Sequence, residues 1–353
     1  MAYSGQLNRN EVILGKDVAG ALYNQIISIN TEASNIAGVY GKLLEAMKTD
    51  GGMYGDTKLI VETDCLESAE WGMDAEAGNL LEVKRPKKPN TEAFVIDQFR
   101  QVGVTLDDYM TKRAFADEGS FSSFNSVIRG WVGDTKKVYD ATTFNAAIGT
   151  MKSEKAAQNL SVTVGTGETK GQVIAEELAD LLVKLGDVSR DYNDLEFLRS
   201  YAEKDIIVVW NASYVNYVKK VDLPTLFHKE GLIDKFEDYV LPARYFGDVI
   251  TSGTADGKTI RSLVEQTIGG KHIFAGDLIP SGVAITADSH AYKENSKVIC
   301  KVMAKGSVPF MSSFSVGTSF FNPKSLTENQ YLTWSHNTLD YRKGKPYITI
   351  VEA

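Results

Sequence analysis

The clearest pattern of apolar and polar positions lies between residues 169 and 226. It opens with apolar residues at helical spacing and charged residues on the other side, which predicts an amphipathic helix facing a core. These apolar positions are Ile174, Leu178, Leu181, Leu182 and Leu185. A β-branched run at 205–210 then predicts a strand buried on both faces. Asn211 and Ser213 are residue types that cap helices, so a short second helix is expected to follow and to end at 222–224.

Hydrophobic spacing predicts further elements in the first half of the chain. In chain order they are an extended arm at 1–16, helices at 18–29 and 36–47, strands at 59–61 and 94–106, a helix at 120–148 and a strand at 160–164. Gly130 and Gly133 are expected to mark a bend in the helix at 120–148.

After residue 226 the pattern changes to strands and turns. The predicted elements are an edge segment at 241–247, a loop at 251–258, a short helix at 260–268, strands at 281–286 and 297–303 and a turn at 322–324. Two last strands, at 331–334 and 347–351, predict a closing hairpin around residues 343–345.

The segment 62–88 between the first two predicted strands has little apolar periodicity but an ordered charge pattern. Its first part is acidic without a Lys or Arg, and its end is basic. Long loops of this kind are mostly functional or disordered, so a solvated hairpin tip is one interpretation. The other is an arm that reaches another subunit, because an acidic half and a basic half are complementary between copies. The candidate inter-subunit contacts are Glu67, Glu70, Asp74, Glu76, Lys84, Arg85, Lys87 and Lys88.

Composition argues against several classes of protein, namely those that bind nucleic acid through a basic face, those stabilised by disulfides and those that span a membrane. The 353 residues are 43% hydrophobic and 24% charged, which is ordinary for a globular protein. A net charge of −8 argues against a basic face that grips nucleic acid, although the protein could still enclose it. Two distant cysteines suggest a reducing compartment without a disulfide framework. We expect a soluble protein made in the cytoplasm, since no apolar run reaches the roughly 20 residues of a membrane span and no signal peptide is present.

The strongest enzyme candidate is the glycine loop from Gly165 to Gly171, between a predicted strand and a predicted helix. It lacks the Gly-Lys-Ser/Thr order of a phosphate loop, because Lys170 precedes Gly171 and Gln172 follows. A helix capped by Thr169 is the favoured interpretation. The four histidines have no metal-ligand spacing, and we therefore expect no catalytic residues, no metal and no cofactor.

The order of elements resembles that of a known family. An amphipathic helix, the run Asp-Ile-Ile-Val-Val-Trp-Asn at 205–211, a short aromatic helix and Leu-Phe-His-Lys-Glu-Gly at 226–231 resemble the axial domain of major capsid proteins of tailed bacteriophages. The run at 102–109 looks like the return strand of the extended loop in that family. The resemblance implies an α+β, Hong Kong 97-like (HK97-like) capsid fold. Its implied parts are an N-terminal arm (1–50), an extended loop (51–112), a peripheral domain with a spine helix (113–168), an axial domain (169–320) and a return to the peripheral domain (321–353).

The resemblance also implies a structural function. Copies of the chain would associate with one another as hexamers and pentamers into an icosahedral shell that encloses double-stranded DNA. The implied location is the virion, assembled in the host cytoplasm, with scaffolding, portal and decoration proteins as further partners. An acidic balance fits a shell that does not hold DNA tightly. Two alternatives stay open: an encapsulin-like nanocompartment shell of the same fold, and a nucleotide-binding enzyme that uses the Gly165 to Gly171 loop.

Overall fold

A computed structural model of the chain describes residues 41–50, 57–68, 85–107, 118–165, 168–220 and 237–353. The described part has an α+β architecture, in agreement with the predicted class. Its α-helices are α1 (Gly41–Met47), α2 (Glu118–Thr150), α3 (Glu168–Gly186) and α4 (Ala212–Lys220). None of these helices is both long and apolar enough to cross a membrane. The predicted arm at 1–16 and helix at 18–29 lie outside the described residues.

The strands form two main sheets and several small ones. They are β1 (Lys48–Asp50), β2 (Thr57–Glu62), β3 (Asn90–Asp107), β4 (Asn159–Val162), β5 (Ile206–Asn211), β6 (Glu237–Leu241), β7 (Gly247–Ile250), β8 (Gly253–Thr254), β9 (Ile260–Ser262), β10 (Gln266–Ile268), β11 (Lys271–Ile273), β12 (Ala284–Ile285), β13 (Ala291–Glu294), β14 (Val298–Ala304), β15 (Phe310–Ser312), β16 (Ser315–Asn322), β17 (Thr327–Asn337) and β18 (Tyr347–Glu352). The main sheets have the orders β4-β18-β14-β5-β6 and β16-β17-β3-β2.

The five-stranded sheet forms the core of the described structure. Every residue of β5 is buried, which confirms the strand predicted at 205–210. Because side chains alternate across a strand, Ile206 and Val208 pack with α3 and α4, whereas Ile207 and Val209 pack with α1 and α2 on the opposite face. Both faces of the sheet are therefore covered by helices.

The helix α2 has more residues than any other element in the described ranges, 33, and spans about 50 Å at 1.5 Å per residue. It confirms the helix predicted at 120–148 and continues without interruption through Gly130 and Gly133. Its last turns are fully buried. At Gly149 a side chain would collide with the backbone carbonyl of Tyr245, so glycine lets the helix approach the turn at Ala243–Tyr245.

Two predictions in the second half of the chain are wrong. The segment predicted as a helix at 260–268 forms β9 and β10, because β9 pairs with β13 and buries Ile260 and Ser262 at period two. The predicted closing hairpin does not form either. Its two strands, β17 and β18, lie in different main sheets, where they pair with β3 and with β14.

Smaller differences concern element ends. The helix α3 begins at Glu168, so Thr169 lies inside its first turn and does not precede it. Asn211 caps α4 as predicted, since its side-chain oxygen accepts a hydrogen bond of 3.1 Å from the backbone N–H of Ser213, which itself lies within the helix.

Three predicted segments in the strand-rich region differ in extent. The edge segment predicted at 241–247 is the end of β6, a 3₁₀ turn and the start of β7. The loop predicted at 251–258 contains β8, and the strand predicted at 281–286 is reduced to β12. The turn at 322–324 lies where it was expected, between β16 and β17.

Lys301 is an unusual charge inside the five-stranded sheet, with only 1% of its surface exposed. Its ammonium group donates to the carbonyl of Met151 and lies 5.3 Å from the centre of the Tyr347 ring. Burial, with a smaller contribution from nearby Lys152, lowers the pKa of Lys301 to about 7. The folded chain therefore loses a proton near neutral pH that the unfolded chain still holds.

Replacing Lys301 by methionine should remove this pH dependence. The unfolded chain binds the proton up to an ordinary lysine pKa of about 10.4, so the free energy of unfolding of the native chain should rise between pH 7 and pH 10. The stability advantage of Lys301→Met should then shrink on the order of 1 kcal/mol per pH unit over that interval. Denaturant unfolding of the free subunit at several pH values measures it. The exposed Lys293→Met is the control, and an advantage that does not change with pH would contradict the assignment.

Candidate functional site

The four-stranded sheet is the most exposed part of the described fold. Its longest strand, β3, has 18 residues and spans about 60 Å at roughly 3.3 Å per residue. The first part of β3 pairs with β2, from Asn90↔Glu62 to Val95↔Thr57. Its remaining part pairs with β17, whose far side pairs with β16. Segments more than 200 residues apart in sequence therefore meet on one strand.

Exposure alternates along β3 and divides the sheet into two faces. Phe94, Ile96 and Leu106 are buried on one side, whereas the odd-numbered residues from 91 to 105 are exposed. Directly opposed residues of antiparallel strands share a face, so the registers assign the neighbouring strands as well. We call this exposed side the open face. It comprises Thr57, Leu59, Val61, Thr91, Ala93, Val95, Asp97, Phe99, Gln101, Gly103, Thr105, Val316, Thr318, Phe320, Asn329, Tyr331 and Thr333.

The open face combines exposed apolar and aromatic residues with uncharged polar ones and is almost free of charge. Leu59, Phe99 and Phe320 are 63%, 59% and 64% exposed. Among the residues that define the face only Asp97 is charged, and its carboxylate accepts hydrogen bonds from the backbone N–H and the hydroxyl of Thr338, at 2.9 and 2.7 Å. In a chain that is 24% charged, this depletion is typical of the centre of a protein–protein interface.

The opposite face has a different composition, with Lys58, Glu62, Glu92 and Arg100 beside its buried apolar residues. The contrast arises within single strands, since neighbouring residues of β2 and β3 point to opposite sides. The absence of charge is thus a property of one face and not of the sheet as a whole.

Gly103 shapes the middle of the open face. It stands opposite Tyr331, and a Cβ atom at residue 103 would lie 2.8 Å from two atoms of the tyrosine ring. The ring therefore lies over the glycine backbone, an arrangement that protects a strand glycine from water. Tyr331 stays flat against the sheet as a result and contributes a smooth aromatic surface.

A chain of hydrogen bonds joins this sheet to α2. Arg100 donates to the Tyr139 hydroxyl at 3.2 Å, and that hydroxyl lies 2.8 Å from Nε2 of His336. Nδ1 of His336 lies 2.8 Å from the Asn337 carbonyl, which can only accept. His336 is therefore protonated on Nδ1, and Tyr139 donates to Nε2. Burial lowers the pKa of His336, so the neutral imidazole on which this chain depends is favoured.

Asn337 extends the same connection to the strand β15. Its side-chain oxygen accepts from the backbone N–H of Met311 at 2.7 Å, and its side-chain nitrogen donates to the Pro309 carbonyl at 2.9 Å. Because these groups are buried, each bond depends on exact placement of the strand. The network orients the long sheet relative to the core.

The beginning of the long loop is fixed by ionic contacts. The buried Glu62 pairs with Arg342, and Gly344 leaves the space that the Glu62 carboxylate occupies. Asp64 accepts hydrogen bonds from the backbone N–H of Leu198 at 2.9 Å and from Arg190 at 2.7 Å, which together lower the pKa of Asp64 to about 2. The loop therefore leaves the body of the protein in a defined direction.

The structure describes four of the eight candidate contact residues predicted in this loop. Glu67 and Lys87 form an ion pair of 2.9 Å within one chain, on two exposed side chains. Arg85 and Lys88 are exposed and form no ion pair with the described residues. Glu70, Asp74, Glu76 and Lys84 lie outside the described residues. The prediction that these side chains contact a second subunit therefore stays a prediction.

The open face was not predicted from the sequence. The sequence contains one signal for it, because the odd-numbered positions from 91 to 105 carry a single charge, Asp97, whereas both Glu92 and Arg100 fall on even-numbered positions among mostly apolar residues. Strand-forming residues predict a strand at 94–106, but their spacing alone does not tell which of the two faces is covered.

The groups considered for enzyme chemistry have structural partners. The ammonium group of Lys170 lies 2.8 Å from Glu352 and 4.8 Å from the centre of the Tyr214 ring. His272 contacts Glu265 at 3.0 Å. Within the described ranges no group of three or more His, Cys, Asp or Glu residues is arranged to hold a metal ion. Thr166 and Gly167 of the glycine loop lie outside those ranges.

Comparisons with solved structures identify the fold. The chain is similar to a chain of the capsid structure of Staphylococcus phage Andhra, with a TM-score of 0.60 and 12% identity over 87% of this chain and 83% of that one. A chain from the structure of head fiber and inner core protein gp22 of native bacteriophage P68 is also similar. It matches with a TM-score of 0.60 and 12% identity, over 88% of this chain and 84% of that one. The capsid structure of the Cyanophage P-SCSP1u matches with a TM-score of 0.51 and 11% identity, over 88% of both chains.

No protein-family model matches the sequence. No curated protein matches it either. The structural similarity nevertheless covers more than four fifths of the chain, and it confirms the Hong Kong 97-like fold.

Replacing Tyr139 by phenylalanine should weaken the connection between α2 and the long sheet. The change leaves Nε2 of His336 without a donor, which should cost about 1–3 kcal/mol in the free energy of unfolding. The cost should be measured by denaturant unfolding at pH 7.5, with Tyr217→Phe as an exposed control. The native chain should also lose stability as the pH falls below about 6.5, since the unfolded chain then protonates His336 before the folded chain does. Equal stability of native and Tyr139→Phe chains would contradict this role.

Proposed function

We propose that this chain is the major capsid protein of a tailed bacteriophage. Its copies associate as hexamers and pentamers into an icosahedral shell around double-stranded DNA. The observation that supports this function best is an open face of apolar and aromatic residues, exposed on a fold shared with phage capsid structures. A surface of this kind is unfavourable in water, and each Å² of apolar area buried against a neighbour contributes about 25 cal/mol.

The role is structural and not enzymatic. The lysine of the glycine loop is held by a carboxylate and two aromatic rings, which supports a local structural role for it. The most unusual surface of the described residues is a broad sheet face with a single charged residue, Asp97, which suits a protein partner better than a small substrate. The main partner is therefore a second copy of the chain, and scaffolding, portal and decoration proteins are further partners in the same proposal.

The domain boundaries inferred from the resemblance are part of the proposal. The extended loop (51–112) contributes β2 and β3, and the return segment (321–353) contributes β17, so these two regions are joined by one sheet. The return segment also contributes β18 to the five-stranded sheet, beside strands of the axial region (169–320). The arm (1–50) and the peripheral region (113–168) reach the same core through α1 and α2. These regions interlock, so we expect them to unfold together.

The net charge of −8 supports enclosure of DNA without tight binding. A basic lining would neutralise phosphates and bind the DNA with an affinity that depends strongly on salt. Purified particles with the shell protein and double-stranded DNA are the expected product of infection. Particles that hold a protein cargo and no nucleic acid would favour the nanocompartment alternative instead.

Charges placed on the open face should prevent assembly and leave the subunit folded. The double variant Val61→Asp/Phe99→Asp puts two carboxylates where we expect a desolvated contact, and burying them unpaired is costly. Negative-stain images and sedimentation should show free subunits, with an unchanged circular dichroism spectrum. Val183→Asp on the exposed side of α3 is the control for added charge. Normal particles from the double variant would overturn the assignment of this face as a contact.

Reversing two charges of the long loop tests the contact predicted there. Arg85→Glu/Lys88→Glu should reduce assembly, because neither cation forms an ion pair with the described residues and both are expected to pair with acidic residues of a neighbour. The matched control is the exchange Glu67→Lys/Lys87→Glu, which keeps the ion pair within the chain and should assemble normally. The yield of particles at low and at high salt measures the effect, since exposed pairs are screened by salt. Equal yields for both variants would show that the loop charges do not contribute.

A further inference from the structure

Among the described strands, β16 forms a long edge of the four-stranded sheet that no other strand pairs with. Its eight residues, Ser-Val-Gly-Thr-Ser-Phe-Phe-Asn, contain no charge and no proline, and Ser315 to Phe321 are exposed. Soluble proteins usually guard such an edge with lysine, proline or a bulge, because unpaired backbone groups attract other strands. An unguarded edge of this length is expected where another strand pairs with it.

Two other edges in the described sheets carry charges, whereas the four-residue edge strand β4 is uncharged but half as long as β16. The opposite edge of the same sheet is β2, with Lys58 and Glu62 among its six residues. In the five-stranded sheet the edge strand β6 begins with Glu237 and Asp238. The pairing partner of β16 should therefore lack charges as well, and β16 itself meets that condition.

The sequence of β16 is complementary to itself in one antiparallel register. Residues that oppose each other across an antiparallel pair lie on the same face of the sheet. A two-fold axis perpendicular to the sheet can therefore relate two copies of one strand only if it lies between a residue and the same residue of the other copy. With Thr318 on that axis, Val316 of each copy opposes Phe320 of the other, and both lie on the open face. The two Thr318 side chains then meet, and aromatic–β-branched and Thr–Thr pairs are both favourable across strands.

The neighbouring register is less favourable. With Ser319 on the axis, Phe320 would oppose Thr318 and Val316 would oppose Asn322, so neither large apolar side chain would have an apolar partner. Pairing of β16 with β2 of a neighbour would place an uncharged strand against one that carries Lys58 and Glu62. The hydrophobic pattern, which sets strand register in general, selects Thr318.

We propose that β16 pairs antiparallel with β16 of a second copy of this chain, about a two-fold axis at Thr318. The contact joins two four-stranded sheets into one of eight strands and makes the two open faces continuous. It specifies the proposed function further, because it defines one contact between subunits of the shell. Two strand edges alone bury less than the about 1,600 Å² of a stable interface, so the pair should be weak in free subunits and reinforced by other contacts in the shell.

Disulfide trapping tests the register directly. In a Cys65→Ser background, which removes the exposed native thiol, Thr318→Cys should give a disulfide-linked dimer under mild oxidation. Opposed Cα atoms of paired strands lie about 4.5–5.5 Å apart, within disulfide range. The matched control is Asn322→Cys on the same strand, whose two copies would be eight residues apart, or about 26 Å. Dimers from both variants at the same rate, or from neither in assembled particles, would overturn the proposal.

A mixture of two variants provides an independent test. Val316→Cys and Phe320→Cys should each crosslink poorly alone, since their own copies lie four residues apart. Mixed together with tags of different size, they should form the heterodimer several-fold faster than either homodimer. Absence of that preference would exclude the register centred on Thr318.

Charge substitution separates this contact from the proposed function. Thr318→Lys places like charges directly opposite and should reduce particle yield, and mixing it with Thr318→Asp should restore the yield. Normal particles without disulfide trapping at residue 318 would refute the strand pairing and leave the shell function intact. Trapped dimers from a chain that never forms particles would refute the shell function and leave the pairing intact.

Discussion

The pairing of β3 with β17 is the interaction on which the rest of the structure depends. It joins residues 96–107 to residues 327–337 and therefore closes a chain segment of more than 200 residues. Closing so long a loop costs conformational entropy, which short and weak pairings could not offset. Eleven residue pairs with one register shift, the buried bonds of Asn337 and the stacked ring of His336 on Phe310 provide the compensating contacts.

The two main sheets bury their apolar surfaces to different extents. In the five-stranded sheet, helices cover both faces and even Lys301 is enclosed. In the four-stranded sheet, the core and α2 cover only one face, and the open face is left to solvent in the single chain. The first sheet is therefore buried within the single chain, whereas the second needs neighbours to bury its apolar residues. This division explains how one chain is both a stable subunit and an assembly component.

Local signals predicted local structure well. The buried strand β5, the amphipathic helix α3 and the cap at Asn211 follow from residue types and spacing within a few positions. Errors occurred where distant pairing decides the outcome. In the segment 260–268, residues 260–262 become a strand by pairing with β13, while residues 266–268 pair with β11. The strands β17 and β18 are neighbours in sequence, yet each pairs with a distant strand. The chain from Arg100 to His336 could not be predicted, because its members come from three separate elements.

The exposed strand edges could let subunits add to one another without limit, and their geometry explains how this is avoided. A head-to-tail contact between β16 and β2 would leave a new free edge on every added copy, and contacts that do not close produce fibres. A two-fold pairing of β16 with itself uses both free edges at once and ends there. The charges on β2 and β6 disfavour competing contacts at those two edges, and the edge strand β4 is only four residues long. The side-chain pattern of β16 and the two-fold symmetry thus determine which strand pairs with it. No ion pair is needed to select that partner.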